Sequence, residues 1–90
     1  MQAITTKFLP PTNVRGSRVK ATAQAGSVTL HWDHALNPDG NHRAAAEAFA
    51  RKFGWHGEWI PGQLHNGDTV WVSNDAYKND RFTVAKVEAA

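Results

Sequence analysis

The fold is decided by residues 17–33, which read SRVKATAQAGSVTLHWD. Apolar and polar side chains alternate on both sides of a break at Ala25-Gly26. Alternation with a period of two is typical of half-buried β-strands, and glycine permits the positive φ of a tight hairpin turn. The stretch therefore predicts a hairpin with strands over residues 17–24 and 27–33.

A third strand is predicted at residues 2–9, where Ile4, Thr6 and Phe8 fall on one side. Pro10-Pro11 ends it, because proline cannot continue a sheet ladder. Together the three strands form an antiparallel meander. One face of the meander carries Ile4, Phe8, Val19, Ala21, Val28, Leu30 and Trp32. The other face carries Lys7, Arg18, Lys20, Thr22, Thr29 and His31.

The sequence predicts one helix, over residues 42–53. Its apolar side chains recur with the spacing of one helix face: Ala45, Ala48, Phe49 and Phe53. A ladder of charges follows the opposite side: Arg43, Glu47 and Arg51. Asp39 or Asn41 is a candidate N-cap, and Gly54 is a natural residue for the C-terminal turn.

After the helix, a short strand is predicted at residues 55–60 and closed by Pro61-Gly62. A second strand is predicted at residues 69–73, which are rich in β-branched and aromatic residues. Residues 81–87 are predicted to form a final edge strand or a packed tail.

These elements predict an α+β fold, with an antiparallel sheet of four to six strands and one helix packed on one face, in the order β-β-β-α-β-β. Residues 1–90 form a single domain, because two smaller cores would not offset the cost of ordering the chain. Residues 73–90 are either a C-terminal extension or an edge strand. One helix covers one face of a sheet, so the other face is left to solvent or a partner.

Charge is unevenly distributed along the chain. The formal net charge is only +2, yet the first 32 residues contain no carboxylate. They contain four cations: Lys7, Arg15, Arg18 and Lys20. Lysine and arginine can bind phosphate or carboxylate oxygens, so we expect this region to contact a partner. The alternative is an ordinary solvated sheet face that discourages aggregation.

The histidines and acids form no recognisable catalytic or metal-binding motif. His31, Asp33 and His34 are close in sequence, but their spacing matches no established zinc pattern. We interpret them, with His42, as partly exposed polar residues at the junction between strand and helix. The chain has no cysteine and no Gly-x-Ser-x-Gly turn. We therefore expect a non-enzymatic protein with no cofactor and no bound metal.

The four tryptophans are expected to lie mostly in the core, because a small domain needs large side chains there. Trp55 and Trp59 are four residues apart, so in an extended segment they point the same way. One of these two, Trp59, is a candidate anchor for a protein partner, since tryptophan is frequent at binding hot spots.

Residues 11–21, which contain Thr12-Asn13, Gly16, Arg18 and Ala21, resemble a group of small, mostly uncharacterised proteins encoded by phages and plasmids. The members share a Thr-Asn-x-x-Gly-x-Arg-x-x-Ala stretch near the start, and the alanine-rich helix that ends in Lys52-Phe53-Gly54-Trp55 is also similar. The resemblance covers residues 1–72. It implies no catalytic residues. It does imply a mobile-element context, in which small binding proteins include anti-CRISPR inhibitors of host defence complexes.

The sequence favours two functions over a third, a metal-dependent enzyme built on His31, Asp33 and His34. The first is a phage-type inhibitor that binds a host protein or ribonucleoprotein complex. The second is a module that binds DNA or RNA through the basic face of the sheet. The N-terminus lacks the apolar run of a secretory signal, so we expect a cytoplasmic protein that does not act at a membrane. The residues expected to contact the partner are Lys7, Arg15, Arg18, Lys20, His31 and Trp59.

Overall fold

A computed structural model describes residues 3–73. The elements, in chain order, are β1 (Ile4–Leu9), β2 (Arg18–Ala23), β3 (Gly26–His31), α1 (Pro38–Phe53), β4 (Trp59–Gln63) and β5 (Thr69–Ser73). The strands form one antiparallel sheet in the order β3-β2-β1-β5-β4. The predicted α+β fold with one helix on the sheet is confirmed. The strand predicted at residues 81–87 lies outside the described residues.

The two-residue turn between β2 and β3 lies one residue earlier than predicted. Ala23 pairs with Gly26, so the turn residues are Gln24 and Ala25. Gly26 opens β3 with φ at +153°, a conformation that favours glycine. A Cβ atom at this position would lie 2.9 Å from Cζ of Phe53 at the end of α1. The glycine therefore allows both the turn and the close approach of the helix.

Helix α1 begins four residues earlier than the sequence predicted. Asn37, rather than Asp39 or Asn41, is the N-cap, and its side chain accepts a hydrogen bond from the Gly40 N–H at 2.7 Å. Pro38 follows in the first turn, where proline is favourable because its missing N–H is not needed. Gly54 ends the helix with φ at +69°, as predicted.

The core lies between α1 and strands β1, β2 and β3. Its buried apolar residues are Ile4, Val19, Ala21, Ala45, Ala46, Phe49 and Trp71. Val28, Leu30 and Trp32 pack against this core as partly buried residues. Phe8 lies on the same side of the sheet but remains 41% exposed, in edge-to-face contact with Trp32 at 5.0 Å between ring centroids.

Strand β4 is shifted along the chain relative to the prediction. It covers Trp59–Gln63, so Pro61 and Gly62 lie inside the strand and do not end it. Among the described residues, β4 pairs only with β5 and forms one edge of the sheet. An edge strand tolerates proline, because the missing N–H need not donate to a neighbour.

Polar side chains join the helix to the sheet. His42 is only 6% exposed, so the prediction that it is partly exposed is wrong. Its Nδ1 lies 2.8 Å from Oγ1 of Thr6, and Nε1–H of Trp71 donates to the same oxygen at 3.1 Å. The Thr6 hydroxyl is 3.3 Å from the carbonyl oxygen of Thr69. Because a hydroxyl has one donor and two acceptor sites, all three bonds form when the imidazole proton is on Nδ1.

Candidate functional site

The side of the sheet opposite α1, here called the open face, carries a cluster of cations. Thr6 points toward the helix and bonds to His42, so its neighbour Lys7 points the other way. Lys7 lies directly opposite Lys20 in the register of β1 and β2. Arg18 precedes Lys20 by two residues on β2 and therefore shares its face. We call Lys7, Arg18 and Lys20 the basic cluster.

No acidic residue lies in any of the five strands. The acids among residues 3–73 belong to the helix and the connecting segments: Asp33, Asp39, Glu47, Glu58 and Asp68. Like charges directly opposite each other destabilise a sheet. The cations of the basic cluster therefore repel one another. The strands contain no carboxylate that would offset this repulsion.

A shallow recess extends the cluster toward the loop between β1 and β2. Its volume is about 390 Å³. It is lined by Val14, Arg15, Gly16, Arg18, Thr29, Leu30 and His31. His31 is the cross-strand partner of Arg18. Nε of Arg18 is buried and has no hydrogen-bond partner among residues 3–73.

The loop that carries Arg15 is organised by Thr12. The Thr12 hydroxyl accepts hydrogen bonds from the N–H groups of Val14 at 3.3 Å and Arg15 at 3.0 Å. The Thr12 N–H donates to the Arg15 carbonyl at 2.7 Å. This closed turn holds Arg15 beside β2. Val14, at the tip, is 89% exposed.

The other half of the open face is apolar. Ile60 of β4 lies opposite Val72 of β5, and Val70 lies opposite Thr5 of β1. Ile60 is 47% exposed, and the two valines are partly buried. The open face therefore passes from a basic half on β1 and β2 to an apolar half on β5 and β4, a combination the sequence patterns did not predict.

Trp59 is not part of this surface. It lies on the helix side of β4, where it stacks on Trp55 with ring centroids 5.9 Å apart, so both rings do point the same way. Trp59 packs against the core and is only partly exposed. The structure therefore brings together Lys7, Arg18, Lys20 and His31, places Arg15 beside them and puts Trp59 on the opposite side. Ile60, which follows Trp59 in the sequence, lies on the open face instead.

The helix side has a larger concave surface that the sequence patterns did not identify. This groove has a volume of about 1220 Å³ and runs between α1 and β4. Arg43 and Glu47, among the residues that line it, form an ion pair at 3.2 Å. Asp39 and Arg51 add one charge of each sign. Glu58 also lines the groove, so the lining contains three carboxylates and two guanidinium groups and has a formal charge of −1.

No metal centre is formed by the described part of the chain, where no three side chains of histidine, aspartate or glutamate gather to hold an ion. His31 points to the open face, and the Asp33 carboxylate accepts a hydrogen bond from the Ala35 N–H at 2.9 Å. Helix α1, the one helix in residues 3–73, is too short and too polar to cross a membrane.

No family model, curated protein or solved structure matches this chain.

Proposed function

We propose that this chain is a non-catalytic binding protein that docks the open face of its sheet on an acidic surface of a host protein or ribonucleoprotein complex. The observation that carries the proposal is the basic cluster, in which Lys7 faces Lys20 in strands that contain no carboxylate. Such a cluster costs stability in the free protein and becomes favourable when a partner supplies negative charge.

The mixed character of the open face supports a protein partner. Protein interfaces combine an apolar centre with a polar rim. Ile60, Val70 and Val72 provide apolar area beside the cations, and Arg15 extends the basic edge. Charges of this kind steer the encounter and fix its register, while the apolar contacts slow dissociation.

The phage and plasmid resemblance of residues 11–21 makes a host defence complex, such as a CRISPR effector, the first partner to test. A small protein inhibits such a complex by covering a surface that the complex needs, with no chemistry of its own. Its site of action is then the cytoplasm of the host cell.

A second candidate is a nucleic-acid-binding module on the same face. It is favoured by the hydroxyls of Thr5, Thr22 and Thr29, which lie among the cations and can donate to phosphate oxygens. Single-strand binding usually adds aromatic stacking platforms, and the open-face positions of the five strands contain no aromatic residue. The protein partner is therefore the better supported of the two.

The experiment is affinity capture from host lysate with quantitative mass spectrometry, in parallel samples with and without nuclease. The protein is compared with two matched double variants: K7E/K20E on the open face and R43E/R51E on the helix. We expect a partner that survives nuclease, is lost with K7E/K20E and is retained with R43E/R51E. A partner lost on nuclease treatment would favour the nucleic-acid module. Equal capture by both variants would refute the assignment of the site to the open face.

A further inference from the structure

The outer edge of β3 presents a row of backbone groups without a neighbouring strand among residues 3–73. The Trp32 N–H donates to the Ser17 carbonyl of the chain entering β2, at 2.9 Å. Antiparallel ladders alternate between residues that bond to one neighbour and residues that bond to the other. The N–H and C=O groups of Ser27, Thr29 and His31 therefore point away from β2, toward solvent.

This edge lacks the features that usually protect a sheet edge. Residues 26–31 contain no proline, lysine, arginine, aspartate or glutamate, and natural edge strands commonly use charges, proline or bulges to prevent pairing. The register with β2 runs without interruption from Arg18 opposite His31 to Ala23 opposite Gly26. The opposite edge, β4, contains Pro61 and Gly62. Within residues 3–73, β4 thus contains protective residues that β3 lacks.

We infer that β3 pairs antiparallel with β3 of a second copy of this chain, about a two-fold axis at Thr29. In this register Thr29 lies opposite Thr29 and Ser27 opposite His31, all with outward backbone groups, so each facing pair exchanges two hydrogen bonds. An isologous contact of this kind is the commonest form of dimer interface. The inference does not depend on the proposed function.

The side chains of β3 fit a second copy of the strand on both faces. On the helix side, Val28 lies opposite Leu30 of the other copy, and both are partly buried apolar residues at the margin of the core. On the open face, the residues that face each other between the two copies are Ser27, Thr29 and His31. No lysine or arginine of one copy therefore lies opposite a lysine or arginine of the other. A negatively charged peptide finds no lysine or arginine to pair with on the edge strand itself.

The pairing would join the open faces of the two copies into one surface with two basic clusters. The contact involves one strand of six residues from each copy, which is small compared with the interfaces of permanent dimers. We therefore expect a dissociation constant of about 1–100 μM. Dimerisation of this strength is concentration-dependent.

The first test is sedimentation velocity of the full chain over a concentration series from about 1 to 500 μM, spanning the expected range. The protein is compared with Thr29→Lys, which places a charge on the two-fold axis, and with Thr22→Lys, which places the same charge one strand inward. Circular dichroism verifies that both variants fold. We expect the wild-type chain and Thr22→Lys to dimerise, with a loss of at least tenfold in dimer affinity for Thr29→Lys.

The second test uses the absence of cysteine from the chain. Facing Cα atoms in a hydrogen-bonded antiparallel pair are about 5.5 Å apart, within the range that a disulfide spans. Thr29→Cys should form a disulfide-linked dimer under mild oxidation, with Thr22→Cys as the control that remains mostly monomeric. A wild-type chain that stays monomeric at every concentration overturns the inference. A dimer that Thr29→Lys leaves unchanged also overturns it.

Discussion

Lys7 and Lys20 face each other across β1 and β2, on the side of the sheet away from the helix. Two ammonium groups in this relationship repel each other, and the strands provide no carboxylate to relieve the repulsion. The arrangement lowers the stability of the free protein and becomes favourable when a partner supplies negative charge. The pair is therefore the feature on which the proposed binding function chiefly depends.

The repulsion predicts that removing one of these charges stabilises the free protein. Lys7→Gln should raise the melting temperature by about 2 °C at low ionic strength, measured by differential scanning calorimetry. The gain should disappear at about 0.5 M salt, because exposed charges are then screened. Lys52→Gln on the helix removes an ammonium group that lies 5.4 Å from the centroid of the Phe53 ring, so it should not stabilise the protein. An equal gain there would argue against a specific repulsion at the pair.

The hydroxyl of Thr6 is predicted to be a major contributor to stability. Thr6→Val keeps the shape of the side chain but leaves Nε1–H of Trp71 and Nδ1 of His42 without their partner in the core. The free energy of unfolding should fall by about 2–3 kcal/mol, measured by urea denaturation. Thr5→Val, on the open face of the same strand, should change it by less than about 0.5 kcal/mol. Similar losses for the two variants would contradict the role assigned to the buried hydroxyl.

Asn41 is predicted to hold the segment between β3 and α1. It is 2% exposed. Its Oδ1 accepts from the Asp33 N–H at 2.7 Å, and its Nδ2 donates to the Asp33 carbonyl at 2.9 Å. Asn41→Ala should lower the free energy of unfolding by about 2–3 kcal/mol. Asn37→Ala, which removes only the helix cap, should cost about 1 kcal/mol. A larger loss for Asn37→Ala than for Asn41→Ala, measured by chemical denaturation, would show that the helix cap rather than Asn41 holds the segment.

Gly26 is predicted to tolerate no side chain. Gly26→Ala brings a Cβ atom to 2.9 Å from the Phe53 ring at a φ of +153°, so either the ring or the hairpin must move. The expected loss is about 1–3 kcal/mol, measured as a shift in the urea midpoint. Gly16→Ala meets no atom within 4 Å and should leave stability nearly unchanged. If Gly26→Ala were equally neutral, the close packing of Phe53 on the hairpin would be disproved.

The parts of the fold that the sequence predicted best are those with local periodicity. The alternation in residues 17–33 gave the β2–β3 hairpin to within two residues, and the apolar spacing around Phe49 gave the buried side of the helix. Both patterns arise because one face of the element is buried, so they are readable without knowing the rest of the molecule.

The sequence predictions for the start of the helix and for the position of β4 are wrong for the same reason, which is the treatment of proline. The strand predicted at residues 55–60 ends at Pro61-Gly62, and a predicted helix that begins at residue 42 leaves Pro38 in the preceding loop. Proline is favourable in the first turn of a helix and acceptable on an edge strand. Only the tertiary arrangement decides which of these exceptions applies.

The buried polar network could not be predicted from local sequence. Thr6 and His42 are 36 residues apart, and Thr6 and Trp71 are 65 apart. Nothing in the neighbourhood of His42 distinguishes a buried histidine from a solvated one.

The basic cluster was predictable, because Lys7, Arg18 and Lys20 fall at alternating strand positions. The apolar half of the open face, formed by Ile60, Val70 and Val72, was not predictable because it depends on the pairing of β4 with β5.

The most direct test of the binding surface is amine footprinting of the captured complex, in which lysine acetylation is measured by mass spectrometry with and without the bound partner. Lys52 on the exposed side of α1 serves as the internal control. The account predicts that Lys7 and Lys20 lose reactivity at least fivefold in the complex while Lys52 stays unchanged. Protection of Lys52, with Lys7 and Lys20 as reactive as in the free protein, would contradict it.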